Sequence, residues 1–229
     1  TICVGTPDGT NCSTQTFTAA PRISGFNPTQ GVPGTTVTVN GANFQGATQV
    51  GFGGGATATP ATIAGDGLSL TVVVPAAAVT GPISVTTAVS TATSSTSFTV
   101  QPFISNFTPA GGGPGTVVTI NGGKFTGATS VTIGGAAATF TVVSDTVISA
   151  TVPQNFSAAG PIVVTTPNGT ATSATNFTLG PKITSFSPVF GNVDTTVTIT
   201  GTTFSGATEV RFNGVLATTA TFYNDTTIT

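Results

Sequence analysis

At 229 residues the chain can hold more than one domain, each with a substantial core. Charged residues make up only 4% and the formal net charge is −2, which leaves no basic patch for nucleic acid or an anionic membrane surface. The 38% apolar content falls in short alternating runs, which excludes a disordered tract, and no run reaches the length of a membrane-spanning helix.

The first element is a hairpin. Thr6-Pro7-Asp8-Gly9-Thr10 is a turn sequence, and a second copy stands at Thr166-Pro167-Asn168-Gly169-Thr170. A shift of 160 lays Ile2 on Ile162, Pro7 on Pro167, Gly9 on Gly169, Phe17 on Phe177 and Pro21 on Pro181. Residues 1–20 are therefore predicted to be the terminal hairpin of a module whose earlier strands are not in the chain. Counting by twos puts Ile2, Val4 and Phe17 on the inner face and both cysteines on the outer face. A two-residue turn at Pro7-Asp8 sets Cys3 directly opposite Cys12, close enough to bridge, whereas a three-residue loop with Gly9 as a bulge misaligns them by one. A disulfide there implies an oxidising, extracellular setting.

Three homologous stretches follow, from Pro21, Pro102 and Pro181, spaced 81 and 79 residues apart. A repeat of about 80 residues is the size of one small β-domain rather than of a solenoid turn. Within each stretch the period is two: Val37 and Val39 alternate with threonines, as do Val118 with Ile120 and Val197 with Ile199. Gly and Pro punctuate the chain about every ten residues, the spacing of a sandwich or barrel. Helical apolar stripes are absent. The predicted fold is all-β, in modules 21–101, 102–180 and 181–229. The third stops at Asn224–Thr229, which aligns with Ser144–Ser149, so its last strands are expected to be missing. The 11 residues Ala150–Gly160 have no counterpart at either end, and adding them would make three whole repeats of 80.

Pro28 to Phe44 and Pro109 to Phe125 share the pattern P-x-x-G-x-P-G-T-x-V-T-x-x-G-x-x-F. This resembles the IPT/TIG module, an immunoglobulin-like β-sandwich found in plexin-type receptors, some transcription factors and many bacterial surface proteins. The resemblance covers nearly the whole chain. It implies tandem immunoglobulin-like sandwiches joined end to end. The third repeat departs from it, with Val193-Asp194 in place of Pro-Gly. The Pro-Gly pairs at 33–34 and 114–115 suit type II turns, and Phe44, Phe125 and Phe204 are expected to plug the sandwich ends. Phe52, Ile133 and Phe212 are expected on the next strand's inner face. Linkers almost vanish at Gln101-Pro102 and Gly180-Pro181, which predicts a semi-rigid string.

Catalysis is hard to build from these residues. His, Met and Trp are absent. Asp8, Asp66, Asp145, Asp194, Glu209 and Asp225 are scattered, and Asp66, Asp145 and Asp225 share one loop position where a turn-forming Asp suffices. Neither a carboxylate pair nor a calcium cage is visible in their spacing. The run Gly111-Gly112-Gly113-Pro114-Gly115 lacks the Lys and helix of a phosphate loop. Lys124 and Lys182 have Asn43, Thr203, Arg22 and Phe103 as repeat equivalents, so surface loops explain them better than a covalent crosslink does. Sequons at Asn11, Asn106, Asn155, Asn168, Asn176 and Asn224 make glycans candidate partners, and a Thr-rich face could equally carry O-linked sugar.

The resulting expectation is a non-enzymatic structural protein of the cell surface or extracellular space. No cofactor, nucleic acid or membrane insertion is expected. Self-association is expected to form a fibre or filament, its open end modules continued by a longer parent chain or completed head to tail by a neighbouring copy. The alternative is an adhesin stalk or accessory binding module of a secreted protein.

Overall fold

The computed structural model covers residues 1–229, which form β-strands and no helix, in two compact units, Thr1–Gln101 and Pro102–Thr229. In the first unit Cys3–Thr6 pairs antiparallel with Gly9–Cys12. Thr6 faces Gly9, so the turn is the two-residue Pro7-Asp8 and the cysteines are cross-strand partners.

The first repeat is a two-layer sandwich. One sheet runs in the order Arg22–Asn27, Thr36–Ala42, Ser69–Val73, Thr62–Ile63. The other runs Gln30–Gly31, Thr91–Val100, Val79–Thr86, Gln49–Gly53, Thr57–Ala58. Alternation does the sorting: Val37 and Val39 turn into the core while Thr36 and Asn40 face solvent. Phe26, Phe44, Leu70, Ile83 and Phe98 complete that core. Burial of each such side chain stabilises the sandwich by roughly 1.5–3 kcal/mol.

In the second unit the second repeat repeats this plan. Phe103–Thr108, Val117–Gly123, Val147–Thr151 and Thr139–Ser144 form one sheet. Gly111–Gly112, Gly169–Leu179, Gly160–Thr166, Ser130–Ile133 and Ala136–Ala137 form the other. Every pairing is antiparallel except the two-residue pieces Gln30–Gly31 and Gly111–Gly112, which run parallel to Thr99–Val100 and to Thr178–Leu179. Those pieces arise because a proline ends the first strand and passes the chain to the opposite sheet, through cis peptide bonds at Asn27-Pro28 and Thr108-Pro109.

The third repeat has one whole sheet, Lys182–Ser187, Thr198–Thr202, Thr227–Ile228 and Phe222–Asn224. Opposite it stands only the pair Arg211–Phe212 and Val215–Leu216. Its buried core is three residues, Ile199, Phe204 and Ile228.

Two local devices recur in all three repeats. Gly34 and Gly115 take φ of 92° and 88° at the turn after the proline piece, and Asp194 holds the same left-handed backbone at 69°. The departure from Pro-Gly thus leaves the turn standing, since Asp tolerates this region better than most residues. At the sandwich end Phe44, Phe125 and Phe204 are buried, each after a left-handed residue, Asn43, Lys124 and Thr203. Gly41, Gly122 and Gly201 make room for them: a Cβ there would collide with the carbonyl of Arg22, Phe103 or Lys182 and with the tip of the Phe ring.

Candidate functional site

The acids lie apart. Asp8 sits at the exposed hairpin tip and Asp194 in its turn, while Glu209 pairs with Arg211 at 2.8 Å on the surface. Asp145 accepts hydrogen bonds from the Thr126 amide at 3.2 Å and the Thr126 hydroxyl at 2.7 Å. Partial burial pushes its carboxyl upward, but the Thr126 hydrogen bonds and the nearby Lys124 outweigh this and leave it below its usual value. Asp225 accepts from the Thr203 and Ser205 amides at 3.2 and 3.0 Å. In the first repeat the clamp is reversed, with Gln45 Nε2 donating to the Gly65 carbonyl at 2.7 Å. These residues hold the Phe-plug loop against the turn before the next strand. The geometry is structural, and no three acids or cysteines converge on a metal-sized point.

Of the sequon asparagines, Asn11, Asn106, Asn155, Asn176 and Asn224 are exposed and Asn168 is half-buried at a hairpin tip. Asn106 accepts a hydrogen bond from Asn121 Nδ2 at 2.8 Å, and Asn224 accepts from the Thr226 amide and hydroxyl.

What the fold does bring into view is two surfaces rich in exposed apolar side chains. The first is the hairpin of residues 1–13. Its Ile2 amide donates to Ser13 Oγ at 2.9 Å and Ser13 Oγ donates to the Gln15 carbonyl at 2.8 Å. The same two bonds link Ile162, Ser173 and Thr175 at 2.9 and 2.7 Å, and Ile83, Ser94 and Thr96 at 2.9 and 2.7 Å. Thr6 Oγ1 donates to the Gly9 carbonyl at 3.2 Å, as Thr166 does to Gly169. The disulfide joins Cys3 to Cys12 across the strands, S–S 2.03 Å. Yet Ile2, Val4 and Phe17 are 58%, 67% and 70% exposed, whereas their equivalents Ile162, Val164 and Phe177 are fully buried.

The second surface is the open face of the third repeat. A cleft of about 690 Å³ lies there, bordered by Phe186, Ile199, Val210, Phe212 and Ala220. In the first repeat Phe98 packs between Phe26 and Phe52, at ring-centre distances of 6.2 and 5.8 Å. In the second, Phe177 packs on Phe107 at 6.2 Å and on Phe156 at 5.6 Å. Phe186 and Phe212 are the third repeat's counterparts of Phe26 and Phe52, and they are 51% and 49% exposed. A smaller cleft of about 360 Å³ borders Gln154, Lys182 and Asp225, and Phe156 in its lining is buried.

The Ser13, Ser94 and Ser173 clamp is invisible to a reading of single strands, because a serine among so many hydroxyl residues carries no local signal. Laying the three hairpins in one register would have exposed it.

A family model described as the IPT/TIG domain matches residues 21–101, 102–179 and 181–229. No curated protein matches the chain. Among solved structures, a protein in complex with xylogluco-oligosaccharide shares 22% identity over 92% of this chain and 54% of its own, with a TM-score of 0.40. The surface glycan-binding protein PbSGBP-B from Prevotella bryantii shares 20% over 70% of this chain and 42% of its own, TM-score 0.42. The plexin A4 extracellular region shares 21% over 91% of this chain and 20% of its own, TM-score 0.33. The chain thus spans about half, or less, of each of these proteins, and likenesses of this order concern the fold and nothing finer.

Proposed function

The chain belongs to the IPT/TIG family, and on that premise we propose that it is a non-catalytic accessory stretch of an extracellular surface protein, a stalk that spaces and presents rather than reacts. The observation that carries this reading is the tight way the second and third repeats are joined within the Pro102–Thr229 unit. The Gly169–Leu179 strand pairs with Gly111–Gly112 to its last residue, the Gly180 amide then donates to the Gly112 carbonyl at 3.1 Å, and the next strand begins at Lys182. Chain committed to hydrogen bonds up to the boundary has little of the freedom of a Gly/Ser linker. The disulfide supports an oxidising compartment, and the exposed sequons are where N-linked sugar would be added in a glycosylating host.

In the two complete repeats every aromatic ring is buried or half-buried, which leaves no open platform for a sugar to stack on. Titration calorimetry with xyloglucan and mixed-linkage glucan oligosaccharides is expected to give no heat of binding. Binding below about 1 mM, worth some 4 kcal/mol, would replace the spacer with a glycan-binding module.

A second reading, the fibre, is favoured by one specific observation: the chain carries both an open sandwich and a hairpin with the hydrogen-bond pattern of the piece that closes one. Copies joined head to tail would form uniform polymers in electron micrographs, whereas a stalk alone would give single particles.

A further inference from the structure

We propose that the open face of the third repeat receives the disulfide-closed hairpin of a second copy in one defined register, with the hairpin docking already formed. This rests on the fibre reading and specifies its interface. The register follows from the second repeat. There Ser130, Val131, Thr132 and Ile133 face Thr165, Val164, Val163 and Ile162. Carried to equivalent positions, Glu209, Val210, Arg211 and Phe212 of one copy face Gly5, Val4, Cys3 and Ile2 of the other, antiparallel. The parallel contact of Gly111–Gly112 with Thr178–Leu179 becomes Phe190-Gly191 beside Thr18-Ala19.

Side chains agree with this placement. Ile2 and Val4 enter the face where Ile162 and Val164 are buried in the second repeat. Phe17 drops between Phe186 and Phe212, the arrangement Phe98 has between Phe26 and Phe52. The interface therefore buries apolar groups that are exposed on both partners and pairs the free edge of Arg211–Phe212. Cys3 and Cys12 stay on the outer face, where the complete hairpins carry Val163 with Thr172 and Ser84 with Thr93.

That substitution explains the disulfide. A two-stranded hairpin alone is marginal in water. The hairpins of the complete repeats are held by their own sandwiches, whereas the hairpin at 3–12 has no sheet behind it. Covalent closure lets it meet its partner without first losing chain entropy.

Sedimentation velocity of the 229-residue chain over a concentration series tests the proposal. The unaltered chain is expected to associate. Phe17→Ser, in the hairpin, and Phe212→Asp, in the cleft, should each weaken association by about tenfold to hundredfold, as the loss of one buried aromatic predicts. Mixing those two variants should restore association but stop at heterodimers, because each mixture holds one intact hairpin surface and one intact cleft; this arm also shows that both variants are folded. Cys3→Ser with Cys12→Ser should weaken association about tenfold or more. An unaltered chain that stays monomeric at every concentration overturns the fibre reading and this interface together. Association untouched by Phe17→Ser, or no heterodimer in the mixture, overturns the register while leaving copies able to join. Association untouched by the double cysteine change overturns the preformed hairpin alone.

Discussion

At Gly122 the missing side chain is what allows the Phe125 ring to lie across the end of the second sandwich. The same pairing joins Gly41 to Phe44 and Gly201 to Phe204. Because the obstruction is backbone carbonyl as well as ring, no rotamer relieves it. Gly122→Ala is therefore expected to cost about 3 kcal/mol, read as a lowered urea midpoint for the unit containing it. Asp145 acts from the other side of the same loop. Its carboxyl is lowered in the folded state, so its contribution is present above the unfolded value near 3.8 and is lost as pH falls through the lower folded value. Acid titrations should show a stability loss below about pH 4 that Asp145→Asn removes. Should the two chains lose stability in parallel, the clamp is not what the Thr126 hydrogen bonds indicate.

At the scale of elements, the serine hydrogen bond of Ser13, Ser94 and Ser173 is the feature the three hairpins share. Ser173 gives the Ile162 amide a buried acceptor, so Ser173→Ala leaves that donor unsatisfied. The expected cost is roughly 1–3 kcal/mol in the denaturation of the second repeat, and Ser173→Thr should recover part of it. Much of this level was legible in the residues. Period-two runs such as Val37-Thr38-Val39 mark strands because a pleat sends neighbours to opposite faces, and the "TPDGT" turn identifies its hairpin by matching "TPNGT". Other features are set by partners distant in sequence. The Asp145 clamp reaches Thr126 across 19 residues, and the parallel pairing of Gly111–Gly112 joins segments about 67 residues apart, which no local pattern encodes. The left-handed backbone at Asp194 was similarly hidden, because the Pro-Gly signal is gone while the turn remains.

For the molecule as a whole, tandem modules with 4% charged residues present little electrostatic repulsion to like copies. Exposed large aromatics are confined to the hairpin and the third repeat: Phe17, Phe186, Phe190, Phe212, Phe222 and Tyr223. The complete repeats are closed, and the proposed interface takes what remains open to be self-complementary. Hydrogen exchange of the 229-residue chain at low and high concentration tests that claim most directly. The amides of residues 2–5 and 209–212 are predicted to become protected together as concentration rises, while strands inside the complete repeats stay protected throughout. If both segments exchange at the same fast rate at every concentration, the two surfaces do not meet and the account of this chain as self-completing is wrong.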